Sequence, residues 1–220
     1  MLEIKNVKVY DLYESIIASG YAMMTEYDKD VIASKIKDFT CSDDNKDYKR
    51  IKKLVEASAK SQNVKCHDNF LTGIRVSFDI IYPNYISPEM QRYHWYDIVT
   101  SSSKMHRLLK MDFDKSCNKY VTQETKDNMK KYIDEYNEIA HADNPDDEKV
   151  YEAFMKVLSN CPLGLELFMR VSTNYKQLQT MYHQRKNHRL KEDWGAFCKF
   201  VEELPLADVL ITGKEKENAN

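Results

Sequence analysis

The chain has 220 residues, with 33 basic and 35 acidic side chains and a formal net charge of -2 at pH 7. This length suits one large domain or two small ones, and the near-neutral balance excludes a general electrostatic attraction to nucleic acid or anionic membranes. No apolar run approaches the roughly 18 residues of a membrane span, so no membrane partner is expected. The five cysteines are widely spaced, without CxxC or a zinc-like pattern, which predicts reduced thiols in a cytoplasmic protein and no metal site.

Apolar periodicity predicts a helix-rich α+β chain, and the small numbers of glycines and prolines, five of each, agree with that class. In chain order, the predicted elements are a strand at Val7–Tyr10, helices at Tyr13–Met24 and Tyr48–Ser58, a strand at Leu71–Tyr82, helices at Glu89–Val99, Gln123–Ile139 and Glu148–Leu158, and an interrupted helix from Leu165 to Glu203. The hydroxyl run at Thr100–Ser103 predicts a break after the Glu89–Val99 helix. We expect a single domain over residues 1–212 and a disordered tail over residues 213–220.

The most informative segment runs from Asn174 to Trp194, where the apolar stripe of a predicted helix becomes cationic. Along one helix face lie, in order, Leu178, Tyr182, Arg185 and Arg189. An arginine keeps its charge and offers a planar fork that matches carboxylate or phosphate groups, and burying it without an anion is costly. We therefore favour an anion-binding cleft. The alternative is a pair of core arginines neutralised by Glu192, Asp193 or an acid of another helix.

Three further polar clusters are candidates for ligand contacts: CHDNF at 66–70, QRYHWYD at 91–97 and SSSKMHR at 101–107. The first precedes the long strand, where ligand contacts are common, although an ordinary Asx turn is favoured for it in isolation. The second interleaves aromatic residues with Arg and His, which suits a flat ring and a phosphate; a solvated amphipathic helix is the alternative. The third resembles a phosphate cradle, but without a glycine-rich loop it is not a Walker-type site.

The order of these clusters resembles that of the flavin-dependent thymidylate synthases over residues 51–205. The likeness is strongest near the C-terminus, where the family has Asn-x-Arg-x-Leu and, several residues later, an Arg followed by a polar turn. This chain has NYKQL at 174–178 and RKNHR at 185–189. Upstream, CHDNF resembles the His-x-x-Pro-Phe region that precedes the family's long strand.

The segment after that strand departs from the family's signature of Arg-His-Arg followed by Ser, Asn-Glu, Ser and Arg. WYD at 95–97 replaces the triplet, Ser103 stands in place of the Glu, and Met105 in place of the second Ser. Only the last arginine is retained, as Arg107. Because the triplet grips the flavin in the family, the resemblance implies a divergent, phage-type member that binds FAD weakly or in a changed pose, stacked on one of the two rings of WYD.

The resemblance implies an α+β fold with a small, mainly antiparallel sheet, assembled as a homotetramer with active sites shared between subunits. Family members reduce FAD with a nicotinamide cofactor, here NADPH, and move a one-carbon unit from methylene-tetrahydrofolate to C5 of dUMP. No protein nucleophile is required, which agrees with the lack of a catalytic triad in the sequence. The implied setting is the cytoplasm of a bacterial or phage-infected cell, with a pyrimidine deoxynucleotide as ligand and no nucleic acid partner.

Together the clusters and the resemblance nominate two sets of site residues. The nucleotide set is Arg92, Ser103, Arg107, Arg185 and Arg189. The cofactor set is His67, Asp68, His94, Asn174, Lys176 and His188. The leading hypothesis is therefore an enzyme that makes dTMP or a modified-base nucleotide, such as a hydroxymethyl product. Two alternatives stay open: a nucleotide-binding protein that has lost flavin chemistry, and an interaction protein whose cationic cleft binds an acidic partner.

Overall fold

The computed structural model describes residues 2–60 and 67–213. Within these residues, four strands form a small antiparallel sheet in the order β1-β2-β4-β3. The strands are β1 (Glu3–Tyr10), β2 (Arg75–Pro83), β3 (Asp97–Ser101) and β4 (Glu166–Asn174). The predicted fold class, a helix-rich α+β chain with a small, mainly antiparallel sheet, is confirmed.

The helices account for most of the remaining chain. They are α1 (Leu12–Ala18), α2 (Lys29–Lys37), α3 (Lys46–Lys60), α4 (Ser87–Met90), α5 (Lys104–Arg107), α6 (Phe113–Ser116), α7 (Gln123–Ala140), α8 (Asp147–Ser159), α9 (Tyr175–Arg185) and α10 (Lys191–Glu202). A short π-helical turn follows at Asp208–Thr212. Predictions for α3, α7 and α8 are confirmed within a few residues, whereas α2 was not predicted and α1 ends earlier than expected, before a 3-10 turn at Tyr21–Met23.

The long strand β2 follows its predicted alternation, with Val76 and Phe78 fully buried and the intervening side chains half-buried. It begins later than predicted because Asn69–Thr72 form a 3-10 turn. The amide of Leu71 donates to the carbonyl of Asp68 at 3.0 Å, which closes that turn before the strand starts.

The predicted helix at Glu89–Val99 is wrong. Helix α4 ends at Met90, and β3 begins only seven residues later, at Asp97. Residues 98–100 are Ile, Val and Thr, whose branched side chains favour a strand once a partner strand is present. The partner is β4, and the pairing extends past β3, where the amide of Ser102 donates to the carbonyl of Phe168 at 2.8 Å. The expected break therefore falls at 102–103, because Thr100 and Ser101 belong to the strand.

The predicted helix from Leu165 to Glu203 is wrong at its start. Residues 166–174 form β4, in which Leu167, Met169 and Val171 are buried and the side chains between them are more exposed. This alternation has the period of a strand, and pairing with two neighbours decides its conformation. The remainder is two helices, α9 and α10, so no single helix carries Arg185 and Arg189 on one face.

The chain forms two compact units. The first comprises 1–3, 80–92 and 98–170, and its core includes Ile86, Leu108 and Val157. The second comprises 4–79, 93–97 and 171–220, and its largest buried side chains include Trp194 and Tyr175. The single-domain boundary at residue 212 stays a prediction. The predicted tail from 214 onward and Cys66 of the CHDNF cluster lie outside the described residues.

Candidate functional site

The cationic end of α9 is organised around Arg185, the last residue of the helix. One and two turns earlier on the same face, Tyr182 and Leu178 are buried in the core of the second unit. Arg185 continues this stripe into a half-buried position, where its guanidinium carbon lies 4.4 Å from the centroid of the Trp194 ring. The face of an indole attracts a cation, so Trp194 holds this charge where an apolar side chain would otherwise pack.

Tyr93 fixes the direction of the same guanidinium. The Nε of Arg185 donates to the Tyr93 hydroxyl at 2.6 Å, and that hydroxyl donates in turn to Oε1 of Gln184 at 3.1 Å. Tyr93 is buried, and its ring centroid lies 5.5 Å from the guanidinium carbon. A hydrogen-bonded relay with the buried Tyr93 at its centre therefore orients the guanidinium group of Arg185.

The turn between α9 and α10 brings Trp194 to this position. His188 Nδ1 accepts a hydrogen bond from the amide of Leu190 at 3.2 Å, which folds the turn back toward α10. The His188 ring then lies edge-to-face with Trp194, 6.1 Å between centroids. Trp194 is fully buried in the first turns of α10, together with Phe197. His188, which was predicted to contact cofactor, thus lies beside the Trp194 ring on which Arg185 packs.

The segment 93–97 presents a second group of aromatic side chains. Tyr96 is buried with its ring centroid 6.2 Å from that of Phe78, so it offers no surface for a ligand ring. Trp95 is 54% exposed, and the exposed His94 packs against it in an edge-to-face arrangement at 4.7 Å. Of the two rings at 95–97 on which FAD was predicted to stack, only Trp95 is accessible.

An ion pair between Asp68 and Lys176 forms a third polar feature of the second unit. The Asp68 side chain is only 2% exposed, and its Oδ2 accepts a hydrogen bond from the ammonium group of Lys176. The same ammonium group donates to Oε1 of Gln179 at 3.1 Å. The second carboxylate oxygen, Oδ1, is buried and has no hydrogen-bond partner within the described chain. An unpartnered buried oxygen of a carboxylate is unfavourable, which marks this pair as strained or functional.

Asn174 and His67 are two further residues that the sequence predicts to contact cofactor. Asn174 is buried at the N-cap of α9, where its Oδ1 accepts the amide hydrogen of Gln177 at 2.8 Å. Its side-chain oxygen therefore stabilises the start of the helix that carries Lys176 and Arg185. His67 lies exposed in the turn before Asp68. A direct contact of either residue with cofactor stays a prediction.

Known structures share this architecture. Thymidylate synthase X from Helicobacter pylori, crystallised with FAD and dUMP, matches 97% of this chain and 98% of its own at 11% identity and a TM-score of 0.58. A second crystal structure of the Helicobacter pylori flavin-dependent enzyme, complexed with FAD and dUMP, matches 96% and 98% at 15% identity and a TM-score of 0.55. The fold is that of the flavin-dependent thymidylate synthases. No protein-family model and no curated protein matches the sequence.

Within this thymidylate synthase fold, the predicted site residues divide between the two units. The second unit contains His67, Asp68, His94, Asn174, Lys176, Arg185, His188 and Arg189, and the first contains Arg92, Ser103 and Arg107. Arg189 is exposed in a bend after α9. Arg92 is exposed in the turn after α4, and Arg107 is exposed at the end of α5. Ser103 occupies the N-cap position of α5 without a side-chain capping bond.

The described residues define what this site can do. They contain no group of three or more His, Cys, Asp or Glu side chains arranged to hold a metal ion. Within residues 2–60 and 67–213, no helix has the length and apolar character needed to cross a membrane. What the second unit offers is a fixed guanidinium, an accessible indole and a buried carboxylate. These groups suit anion recognition, ring stacking and hydrogen bonding to a neutral donor.

Proposed function

We propose that this protein is an enzyme that transfers a one-carbon unit to C5 of a pyrimidine deoxynucleotide in a flavin-dependent reaction, converting dUMP to dTMP or to a modified-base nucleotide. The observation that carries the proposal is the half-buried guanidinium of Arg185, held by Trp194 and Tyr93 within a thymidylate synthase fold. The two Helicobacter pylori structures that share this fold are complexes with FAD and dUMP.

Arg185 is the group proposed to bind the nucleotide. Stacking on Trp194 uses the face of the guanidinium, whereas hydrogen bonds to an anion are made in its plane. Arg185 can therefore stack on Trp194 and bind an anion at the same time. The Trp194 ring keeps water from one face of the guanidinium group, which strengthens its hydrogen bonds to the anion. Arg189, and Arg92, Ser103 and Arg107 of the first unit, complete the proposed nucleotide set.

The second unit also fits FAD in part. FAD has a flat ring and an anionic pyrophosphate, and the accessible indole of Trp95 suits the ring. Asp97 of the same segment lies 3.4 Å from Arg75 Nη2, so its charge is partly neutralised and repels a pyrophosphate less than an isolated carboxylate would. The proposed cofactor contacts are His67, Asp68, His94, Asn174, Lys176 and His188. FAD would supply the redox chemistry, and these residues would orient it.

The remaining parts of the proposal rest on the resemblance to the family. Methylene-tetrahydrofolate is the proposed one-carbon donor and NADPH the proposed reductant. The proposed assembly is a homotetramer in the cytoplasm. One specific feature favours a second candidate, a non-catalytic nucleotide-binding protein: the triplet at 95–97 contains no cation, although the family holds its flavin there with two arginines.

The test combines colour, binding and turnover of the purified protein. An enzyme is expected to absorb in the flavin band after incubation with FAD and to convert dUMP when methylene-tetrahydrofolate and NADPH are supplied, with product measured by chromatography. A colourless protein that dUMP still stabilises against thermal unfolding would support the binding protein instead. Absence of both flavin absorbance and nucleotide-dependent stabilisation would contradict both candidates.

A further inference from the structure

We propose that Trp95 is a preformed stacking platform for a planar heteroaromatic ring of a bound ligand. The inference deepens the proposed function and rests on it only for the identity of the ring, which a flavin, a pyrimidine base or a pterin could each supply. The platform is the indole of Trp95 and not the ring of Tyr96, which is buried against Phe78.

The peptide groups of Trp95 are fixed by two buried polar side chains. Its amide donates to Oε1 of Gln177 at 3.2 Å, and its carbonyl accepts a hydrogen bond from Oγ1 of Thr173 at 2.6 Å. Thr173 is fully buried, and Gln177 is 7% exposed. Buried polar side chains need partners, and here both find them at one residue whose own side chain is exposed. The backbone under the indole is thus held by the core of the second unit.

The neighbouring residues support the same arrangement. Tyr93 and Tyr96, on either side, turn inward and are buried, whereas His94 and Trp95 turn outward. The segment then ends at Asp97, which pairs with Arg75. These contacts hold the segment at both ends and in the middle. The indole is therefore ordered before a ligand arrives. Such preorganisation reduces the entropy lost on binding.

The indole of Trp95 suits a planar ring rather than an aliphatic group of a ligand. A stacked ring is recognised through its π face, so flavin, pyrimidine and pterin rings are all acceptable, and alanine substitution of such a stacking residue typically weakens binding about tenfold or more. The edge-to-face His94, 4.7 Å away, gives the indole a neighbour that can donate a hydrogen bond to a ring substituent.

Intrinsic fluorescence tests the proposal directly because the chain has two tryptophans, the exposed Trp95 and the fully buried Trp194. The emission lost in Trp95→Phe identifies the signal of Trp95. Riboflavin, FAD, dUMP and folic acid are titrated separately against the parent, Trp95→Phe and Trp95→Ala. At least one of them is expected to quench the Trp95 signal and to bind about tenfold more weakly to Trp95→Ala, with a smaller loss for Trp95→Phe, which keeps a ring.

Two further variants separate stacking from general structure. Tyr27→Ala removes another exposed aromatic side chain of the second unit, 71% exposed and edge-to-face with Tyr21, and is expected to bind every ligand like the parent. Thr173→Val keeps the indole but removes the hydroxyl that holds its carbonyl, and is expected to give an intermediate loss of affinity with higher mobility of Trp95 in fluorescence anisotropy.

The outcomes distinguish this inference from the proposed function. If dUMP binds and is converted while Trp95→Ala, shown to be folded by circular dichroism, binds all four ligands like the parent, the platform is wrong and the function stands. Trp95-dependent binding of riboflavin without dUMP binding or turnover supports the platform and contradicts the function. If Trp95→Ala instead breaks an oligomer and leaves ligand affinity unchanged, a second copy of the chain covers the indole and the platform is wrong. Failure of all four ligands to bind the parent overturns both.

Discussion

The guanidinium of Arg185 packs on the indole of Trp194, with 4.4 Å between the guanidinium carbon and the ring centroid. This contact joins the last residue of α9 to the first turns of α10 across the turn at residues 186–190. A charge in that position is held by aromatic electron density on one side and by the Tyr93 hydroxyl at its Nε. Arg185 therefore links the end of α9 to α10, and these contacts fix the orientation of its guanidinium group.

Replacement of Arg185 should weaken nucleotide binding. Arg185→Ala is expected to reduce the binding free energy of dUMP by roughly 1.5–3 kcal/mol, the range of a charge-assisted hydrogen bond. Arg185→Lys should recover only part of this loss, because an ammonium group reproduces neither the fork nor the stacking on Trp194. Isothermal titration calorimetry with dUMP measures both changes.

The matched control for Arg185 is Lys186→Ala, which removes an exposed cation from the adjacent position. It is expected to leave dUMP affinity nearly unchanged, and to show that net charge alone does not explain the result. Parent-like affinity in both Arg185 variants would mean that the nucleotide does not use this cation.

Removing one hydroxyl should test the orientation of Arg185 separately from its charge. Tyr93→Phe abolishes the acceptor for Arg185 Nε and the donor to Gln184 while the ring stays in place. The expected result is a loss of about 1 kcal/mol in dUMP binding, close to the net contribution of one hydrogen bond. Calorimetry gives the affinity, and urea unfolding gives the stability of the same sample.

Tyr182→Phe is the matched control for Tyr93→Phe. It also removes a tyrosine hydroxyl in the second unit, one that donates to Oε1 of Glu202 at 2.6 Å. Both variants should lower stability, but only Tyr93→Phe should lower dUMP affinity. Equal affinity losses in the two variants would assign the effect to general destabilisation.

The accuracy of the sequence-based fold prediction depended on whether an element is stabilised locally. Helices α7 and α8 were predicted almost to the residue because local caps define them: Thr122 accepts the amide of Thr125, and Asp146 accepts the amides that begin α8. Strands β3 and β4 were assigned to helices, because their conformation is decided by pairing with a partner that local sequence does not reveal.

The candidate site was predictable to a similar extent. The cationic end of the apolar stripe predicted Arg185 as a candidate anion-binding residue, because its charge falls on a face that otherwise packs. Tyr93 was missed as its partner, since the contact spans 92 positions in the sequence and the segment around Tyr93 was taken for a helix. Arg189 was placed on the same face only because the helix was expected to continue past its actual end at Arg185.

The proposed assembly gives a prediction that is independent of any ligand. By analogy with the family, the protein should form a closed homo-oligomer, with the homotetramer as the expected state. Multi-angle light scattering at micromolar concentration should report about four times the chain mass of 26.0 kDa. A monomer under these conditions would remove the model of active sites shared between subunits, although binding by one chain would still be measurable.

His183 should contribute to the pH dependence of stability. Partial burial, followed by the charge of Lys186, lowers its pKa below the ordinary value of 6.5, and the hydrogen bond to the Ile211 carbonyl at 3.1 Å opposes this shift only in part. A lowered folded-state pKa means that the unfolded chain takes up the proton first. Stability is therefore full above the ordinary pKa and decreases as the pH falls through that value toward the folded pKa.

The change that tests this linkage is His183→Gln, which keeps a donor for the Ile211 carbonyl but does not titrate. Urea unfolding at several pH values between about 5 and 7.5, around the ordinary histidine pKa, should show a smaller decrease in the free energy of unfolding for this variant than for the parent. A parent-like pH dependence in His183→Gln would assign the effect to other groups.

The buried ion pair of Asp68 and Lys176 should contribute more to stability than an exposed pair. Asp68→Asn leaves the ammonium group without its anion, but Lys176 is 29% exposed and can be partly hydrated. The expected loss in the free energy of unfolding is therefore about 1–3 kcal/mol, below the range for a fully buried pair. The control is Asp43→Asn, which breaks the exposed pair with Lys52 at 3.2 Å and should cost less than Asp68→Asn. Urea unfolding measures both variants, and a double-mutant cycle with Lys176→Met isolates the pairwise energy.

An Asp68 variant as stable as the Asp43 control would show that the pair is retained for a reason other than stability. A loss of FAD binding in that variant would identify the cofactor as the reason.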